Sequence, residues 1–226
     1  MFRDARLVAG KDLRLEGRSR VALHQVAPFA ILVLLLFAFA LDPDRGFLRR
    51  ATPGLFWVAV LFCSLLAVQR AFAVEAADGN HDALRLSGLD PGGIFLGKLA
   101  AIGLQVLAVE VLLAIGVGVL YNGFADIAVG GWLLALVTCL PATAGIAAAG
   151  TLYGVLASGL RVRETLLPVL LLPVLAPVLI GATRAFEAAL SGATTDGWPW
   201  LGLLTVFALI YIVAGVFAFG ALLEES

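Results

Sequence analysis

Apolar residues arrive in long blocks separated by short polar breaks. Six blocks are long enough to cross a bilayer: 21–41, 51–73, 93–121, 129–158, 165–182 and 200–223. A helix rising 1.5 Å per residue needs about 20 residues to cross about 30 Å of hydrocarbon. Within Ile31–Ala40 and Leu166–Ile180, apolar side chains occupy every face, without alternation. A transmembrane β-barrel needs an alternating pattern, so the blocks predict helices. The expectation is an all-α integral membrane protein: one transmembrane domain over 1–226, with six spans and no soluble domain.

The first block resembles a secretory signal, with basic residues, an apolar run and Ala38-Phe39-Ala40. A leader of about 40 residues is too long for that reading, and the run exceeds the usual apolar core. It reads as an uncleaved span.

Composition narrows the function. The chain is 62% hydrophobic and 14% charged, with a net charge of −1. Soluble domains are about 45–50% apolar and about 25% charged. A disordered chain, a nucleic-acid-binding domain and an ordinary soluble enzyme are excluded. Cys63 and Cys139 fall in different spans, so neither a disulfide framework nor a cysteine metal module is expected.

Charge placement sets an expected orientation. With the N-terminus inside, eleven Lys and Arg fall on the cytoplasmic side and four outside. The four are Arg45, Arg49, Arg50 and Arg184. That asymmetry places both termini in the cytoplasm. Trp57, Trp132, Trp198, Trp200 and Tyr121 fall toward the outer ends of spans, as interfacial anchors would.

Residues 1–20 cannot span. On a helical wheel Phe2, Ala5, Val8, Ala9, Leu13 and Leu15 share a broad apolar face, which Asp12 and Glu16 interrupt. Arg3, Arg6, Lys11, Arg14 and Arg18 lie opposite. The pattern predicts a helix in the inner interface, basic side toward anionic lipid. A solvated basic tail is the simpler alternative.

Residues 74–92 form the longest cytoplasmic loop. Asp78-Gly79-Asn80 is a turn signal, with Asn80 positioned to cap a short helix over His81–Ser87. Gly88 would stop that helix, and Asp90-Pro91-Gly92-Gly93 would restart the chain into the third span. A short amphipathic helix at this place suits a partner's groove; a plain connector is the other reading.

This layout resembles the membrane subunits of ABC-type exporters, and more narrowly the heme exporter protein B family. Thr52-Pro53-Gly54-Leu55-Phe56-Trp57-Val58-Ala59 matches a Pro-Gly-x-x-Trp-Val-Ala start to the second span. Arg70-Ala71-Phe72, then Glu75, Asp78, Gly79, Leu84, Leu86 and Ser87, match the acidic, Asp-Gly and Leu-rich loop, and Lys98 matches a basic residue opening the third span. Gly88 and Asp90 depart from the pattern, standing where Pro and Pro or another residue are usual. The resemblance implies an ABC-2-type permease for cytochrome c maturation. It implies coupling through Glu75, Asp78, Gly79, Leu84, Leu86 and Ser87 to a separate ATP-binding subunit. It further implies a second copy of the chain, other maturation subunits in the inner membrane, and haem as cargo.

Inside the membrane, Glu110 is the one acidic residue deep in a span, with Gln105 nearby. A carboxylate at that depth costs about 2.5–3.5 kcal/mol on insertion scales. It marks either the translocation path or a hydrogen bond between helices. Gly150 and Gly154 form a GxxxG pair, for packing inside the bundle or in a dimer. Pro168, Pro173 and Pro177 predict a bent fifth span. Ala185–Leu190 predicts a short helix on the outer surface, within a loop from Arg184 to Trp200.

No G-x-x-x-x-G-K-[ST], H-E-x-x-H or G-x-S-x-G motif occurs, so no enzyme activity is expected and ATP would bind a partner. No metal site is expected, and His24 is the only histidine placed to meet a haem at the edge of a span. Three rival readings stand beside the resemblance: an exporter permease for a lipid, drug or polysaccharide; an intramembrane enzyme using Glu110; and a passive assembly factor.

Overall fold

The computed structural model describes residues 1–19, 25–41, 45–77, 88–124, 127–158 and 163–225. Among them the chain forms seven helices and no strand: α1 (Phe2–Ser19), α2 (Ala27–Ala40), α3 (Arg45–Ala77), α4 (Pro91–Leu120), α5 (Val129–Ser158), α6 (Arg163–Ser191) and α7 (Thr194–Glu225). The helices α3 to α7 are each long and apolar enough to cross a membrane. The first block is represented by α2, whose 14 residues rise only about 21 Å. Residues 20–24, where the expected span begins, lie outside the described residues.

The local chemistry explains the starts and stops. Asp90 caps α4, its carboxylate accepting from the Gly93 amide at 2.7 Å, and Pro91 occupies the first turn, where no amide donor is needed. Gly88, at φ +66°, turns the chain into this cap in a region open to glycine.

Two expectations are corrected. Ala185–Leu190 is not a separate helix: it is the last part of α6, which continues to Ser191 through all three prolines. Residues 182–190 contain neither Gly nor Pro, and Arg184 and Glu187 pair along the helix at 2.9 Å. The helix stops at Gly192, φ +81°, so the loop from Arg184 to Trp200 reduces to a tight turn. Trp57 and Tyr121 are not headgroup anchors. Trp57 is buried, its ring 5.5 Å from Phe56 and 5.3 Å from Phe186. Tyr121 is buried too and donates its hydroxyl to the Leu34 carbonyl at 2.7 Å.

α5 lies at the centre, packed on α3, α4, α6 and α7. Its buried Ala142, Ile146, Ala147, Ala148 and Ala149 let neighbours approach closely. Val206, Leu209, Ile210, Val213 and Phe217 of α7 stay exposed, as a lipid-facing surface requires. The buried hydroxyls of Thr52, Ser64, Thr138 and Thr151 donate to carbonyls one turn back, so none needs a partner from another helix.

α1 lies across one end of the bundle, against the start of α4. Contact is close because Gly93 and Gly97 carry no side chain. A Cβ on Gly97 would stand 2.7 Å from the Ala5 carbonyl oxygen and 2.7 Å from Val8 Cβ, and one on Gly93 would stand 2.7 Å from the Met1 carbonyl oxygen. Gly97→Leu should therefore push α1 off the bundle, at a cost of about 1–3 kcal/mol. Trypsin should then cut at the exposed Arg14 and Arg18 faster than in the parent, with the helix content of the spans unchanged.

Candidate functional site

The face of α1 that meets the bundle is the one that carries its acids. Val8 is buried there. The Asp12 and Glu16 side chains are 17% and 16% exposed, whereas Phe2, Leu7 and Leu15 point away. Spacing four residues apart stacks Val8, Asp12 and Glu16 on one stripe of the helix. The residues that interrupt the apolar face of the wheel are therefore its docking groups.

Each acid meets a different part of the bundle. Asp4 accepts from the Asp90 amide at 3.3 Å, at the start of α4. That bond holds its carboxyl below the ordinary aspartate range, with help from the Met1 amino group and Arg3 against the opposing effect of burial. Asp12 pairs with Lys98 of α4, Oδ2 to Nζ, at 3.8 Å. Glu16 accepts from Arg70 Nε, near the end of α3, at 3.3 Å. Lys98 is 3% exposed along its side chain, and its ammonium lies 4.9 Å from the centre of the Phe72 ring. A cation this buried needs an acid beside it, and α1 brings one.

Phe72 is fixed from its other side by α5. A Cβ on Gly154 would overlap its ring, and a Cβ on Gly150 would stand 2.6 Å from Val68 Cγ2. Gly150 and Gly154 thus face α3 of the same chain.

Beside this corner is a cavity of about 490 Å³ between the starts of α2 and α6 and the ends of α3 and α5. Gln25, Gln69 and Arg70 give it polar groups; Val26, Leu66, Phe72 and Leu167 give it apolar ones. Pro168, Pro173 and Pro177 lie on α6 beyond this rim, inside a continuous helix.

Glu110 stands apart, 3% exposed, between α4 and α5. Thr143 donates its hydroxyl to Glu110 Oε1 at 2.6 Å. Unlike the hydroxyls of Thr52, Ser64, Thr138 and Thr151, this one reaches across helices. The Cys139 thiol also lies beside the carboxyl. Gln105 lies half-buried on the same helix, five residues before Glu110.

Glu75 lies in the last turns of α3. Asp78, Gly79, Leu84, Leu86 and Ser87 lie outside the described residues, as do His24 and His81. Both flanks of that segment come to α1: α3 through Arg70 and Glu16, and α4 through Asp90 and Asp4. Sequence reasoning missed Asp4, Asp12, Glu16 and Thr143. For the first three the signal was present in their spacing along α1; Thr143 had none.

Breaking one partner of the Lys98–Asp12 pair should cost more than removing both. Lys98→Met and Asp12→Asn should each lower the denaturation midpoint, and the double variant should recover part of the loss. A double-mutant cycle by thermal unfolding in detergent should give a coupling of about 0.5–3 kcal/mol.

A family model described as CcmB protein matches residues 4–226. Heme exporter protein B of Haemophilus influenzae is 29% identical over 96% of this chain and 95% of its own length. The protein of the same name from Paracoccus denitrificans is 30% identical over 96% of both chains. That of Escherichia coli K12 is 32% identical over 83% of both. The chain is a multi-pass membrane protein that belongs to the CcmB family.

Proposed function

We propose that this chain is the permease subunit of an ABC transporter complex for cytochrome c maturation that exports haem, or drives the release of haem from its chaperone, on the periplasmic side of the bacterial inner membrane. The relatives at about 30% identity over most of the chain carry the name of heme exporters, and haem enters as cargo on that ground. ATP hydrolysis belongs to a separate ATP-binding subunit. The two termini are cytoplasmic, a second copy completes the membrane part, and other cytochrome c maturation subunits associate with it. No resident cofactor is assigned.

One observation carries the coupling reading. Both flanks of the 78–87 segment are tied to α1, and α1 is tied to α3 and α4 by acids that meet Arg70, Lys98 and the Asp90 amide. A subunit pressing on Glu75, Asp78, Gly79, Leu84, Leu86 and Ser87 therefore acts on one joined corner. The push reaches the ends of two central spans and the cavity beside them. Glu110 and Gln105 belong to the translocation path in this reading, with the carboxyl's cost offset by Thr143.

The test is haem staining of periplasmic c-type cytochromes in a strain lacking the gene. Staining should vanish, return with the wild-type chain, and fail to return with an Asp78→Ala/Gly79→Ala variant present at normal level. Normal staining without the gene would overturn the haem reading. Full rescue by the loop variant would overturn the coupling role.

A further inference from the structure

We propose that Glu110 is a proton-binding site: its carboxyl holds a proton on Oε2 inside the bundle, within reach of carboxyl-directed reagents arriving from the lipid. Glu110 lies ten residues, or about 15 Å, before the end of α4 at Leu120. A carboxyl at that depth can stand beside a cation, in contact with water, or as the neutral acid. Its surroundings leave the third.

No cation pairs with Glu110 among the described residues. Lys98 is twelve residues away on the same helix, about 18 Å along the axis, and faces Asp12. The groups acting on the carboxyl are the Thr143 hydroxyl and the Cys139 thiol, both on α5 and both uncharged. Water is excluded as well. Oε2 is buried and has no hydrogen-bond partner among the described residues, and the cavity described above is lined by other side chains. An ionised Oε2 would hold charge with neither water nor a donor beside it. One bare O–H costs far less than a bare charge. Thr143 donates to Oε1 at 2.6 Å, which makes Oε1 the carbonyl oxygen and leaves Oε2 for the proton. Because Thr143 belongs to α5, the neutral acid also ties α4 to α5.

The pair lies at the lipid edge of the contact between α4 and α5. Val111 follows Glu110, and Leu136 and Leu140 precede Thr143 by about two turns and one; all three are exposed. Cys139, between those leucines, is only half-buried. A thin apolar rim therefore separates the acid from lipid. A lipid-soluble carbodiimide is the reagent that fits such a site. The Oε2–H group adds across one of its C=N bonds: the oxygen bonds to the central carbon and the proton passes to nitrogen. Acyl transfer from that oxygen to nitrogen then gives a stable N-acylurea. Nothing is oxidised and nothing leaves. The reaction consumes the acid's own proton, which a carboxylate sealed from water does not have.

The experiment uses the full chain in phosphatidylcholine nanodiscs at about pH 6, where a water-exposed glutamate, with a pKa of about 4.3, is ionised. The infrared difference spectrum between the parent and Glu110→Gln should show the carbonyl band of one protonated acid. Glu110→Gln has nearly the same shape and keeps an acceptor for Thr143, so it should fold like the parent. In Thr143→Val the acid band should persist and move to higher frequency, because the carbonyl loses its donor. Dicyclohexylcarbodiimide should modify Glu110 in the parent, read by mass spectrometry as one added reagent, and that adduct should be absent from Glu110→Gln. The water-soluble ethyl(dimethylaminopropyl)carbodiimide should leave Glu110 unmodified. Four results would overturn the proposal: carboxylate bands in place of the acid band, an acid band that Thr143→Val leaves unmoved, no dicyclohexylcarbodiimide adduct on Glu110, or equal modification by the water-soluble reagent. The inference does not rest on haem as cargo, and the assay needs no ATP-binding subunit, so it fails or succeeds separately from haem staining.

Discussion

The buried cation at Lys98 is the constraint on which the end of the bundle is organised. An ammonium that is 3% exposed at the mouth of an apolar helix bundle cannot stand without a counter-charge. The acid comes from α1, 86 residues earlier in the chain. Gly93 and Gly97 leave the space for α1 to lie close enough, and Asp4 and Glu16 extend the contact to the start of α4 and the end of α3. A helix that sequence alone would set adrift in the interface becomes the clasp of three elements.

The same arrangement connects structure to a transport role. Helix packing in hydrocarbon gains little from the hydrophobic effect and relies on close fit and polar contacts. Among the described residues, polar contacts that cross between helices include the α1 corner, Tyr121 on Leu34, and Thr143 on Glu110. The cluster lies where the connection between α3 and α4 leaves and rejoins the bundle. That corner joins α1 to α3 and α4 by charged groups as well as by close packing. A cavity opens directly beside it.

Much of this was legible in the sequence. Spans show as apolar runs because lipid demands them, and the start of α4 was written in Asp90-Pro91 as cap and first turn. The failures have physical causes. The stretch from Arg184 looked like a loop, but Arg184 is satisfied by Glu187 on the surface of the continuing helix. Trp57 looked like a headgroup anchor because its partner Phe186 is far off in the chain. The acids of α1 were visible but read as defects of an apolar face, because their partners Arg70, Lys98 and Asp90 lie 54 to 86 residues away. Pairing across such distances leaves no local pattern.

The central claim is that the end of the bundle bearing α1 receives the ATP-binding subunit. It is tested most directly by site-specific photo-crosslinking in the assembled complex. A photoreactive residue at Leu84 should capture the ATP-binding subunit, and one at Ala193, in the turn between α6 and α7, should not. Capture from Ala193, or none from Leu84 in a complex that hydrolyses ATP, would contradict the account.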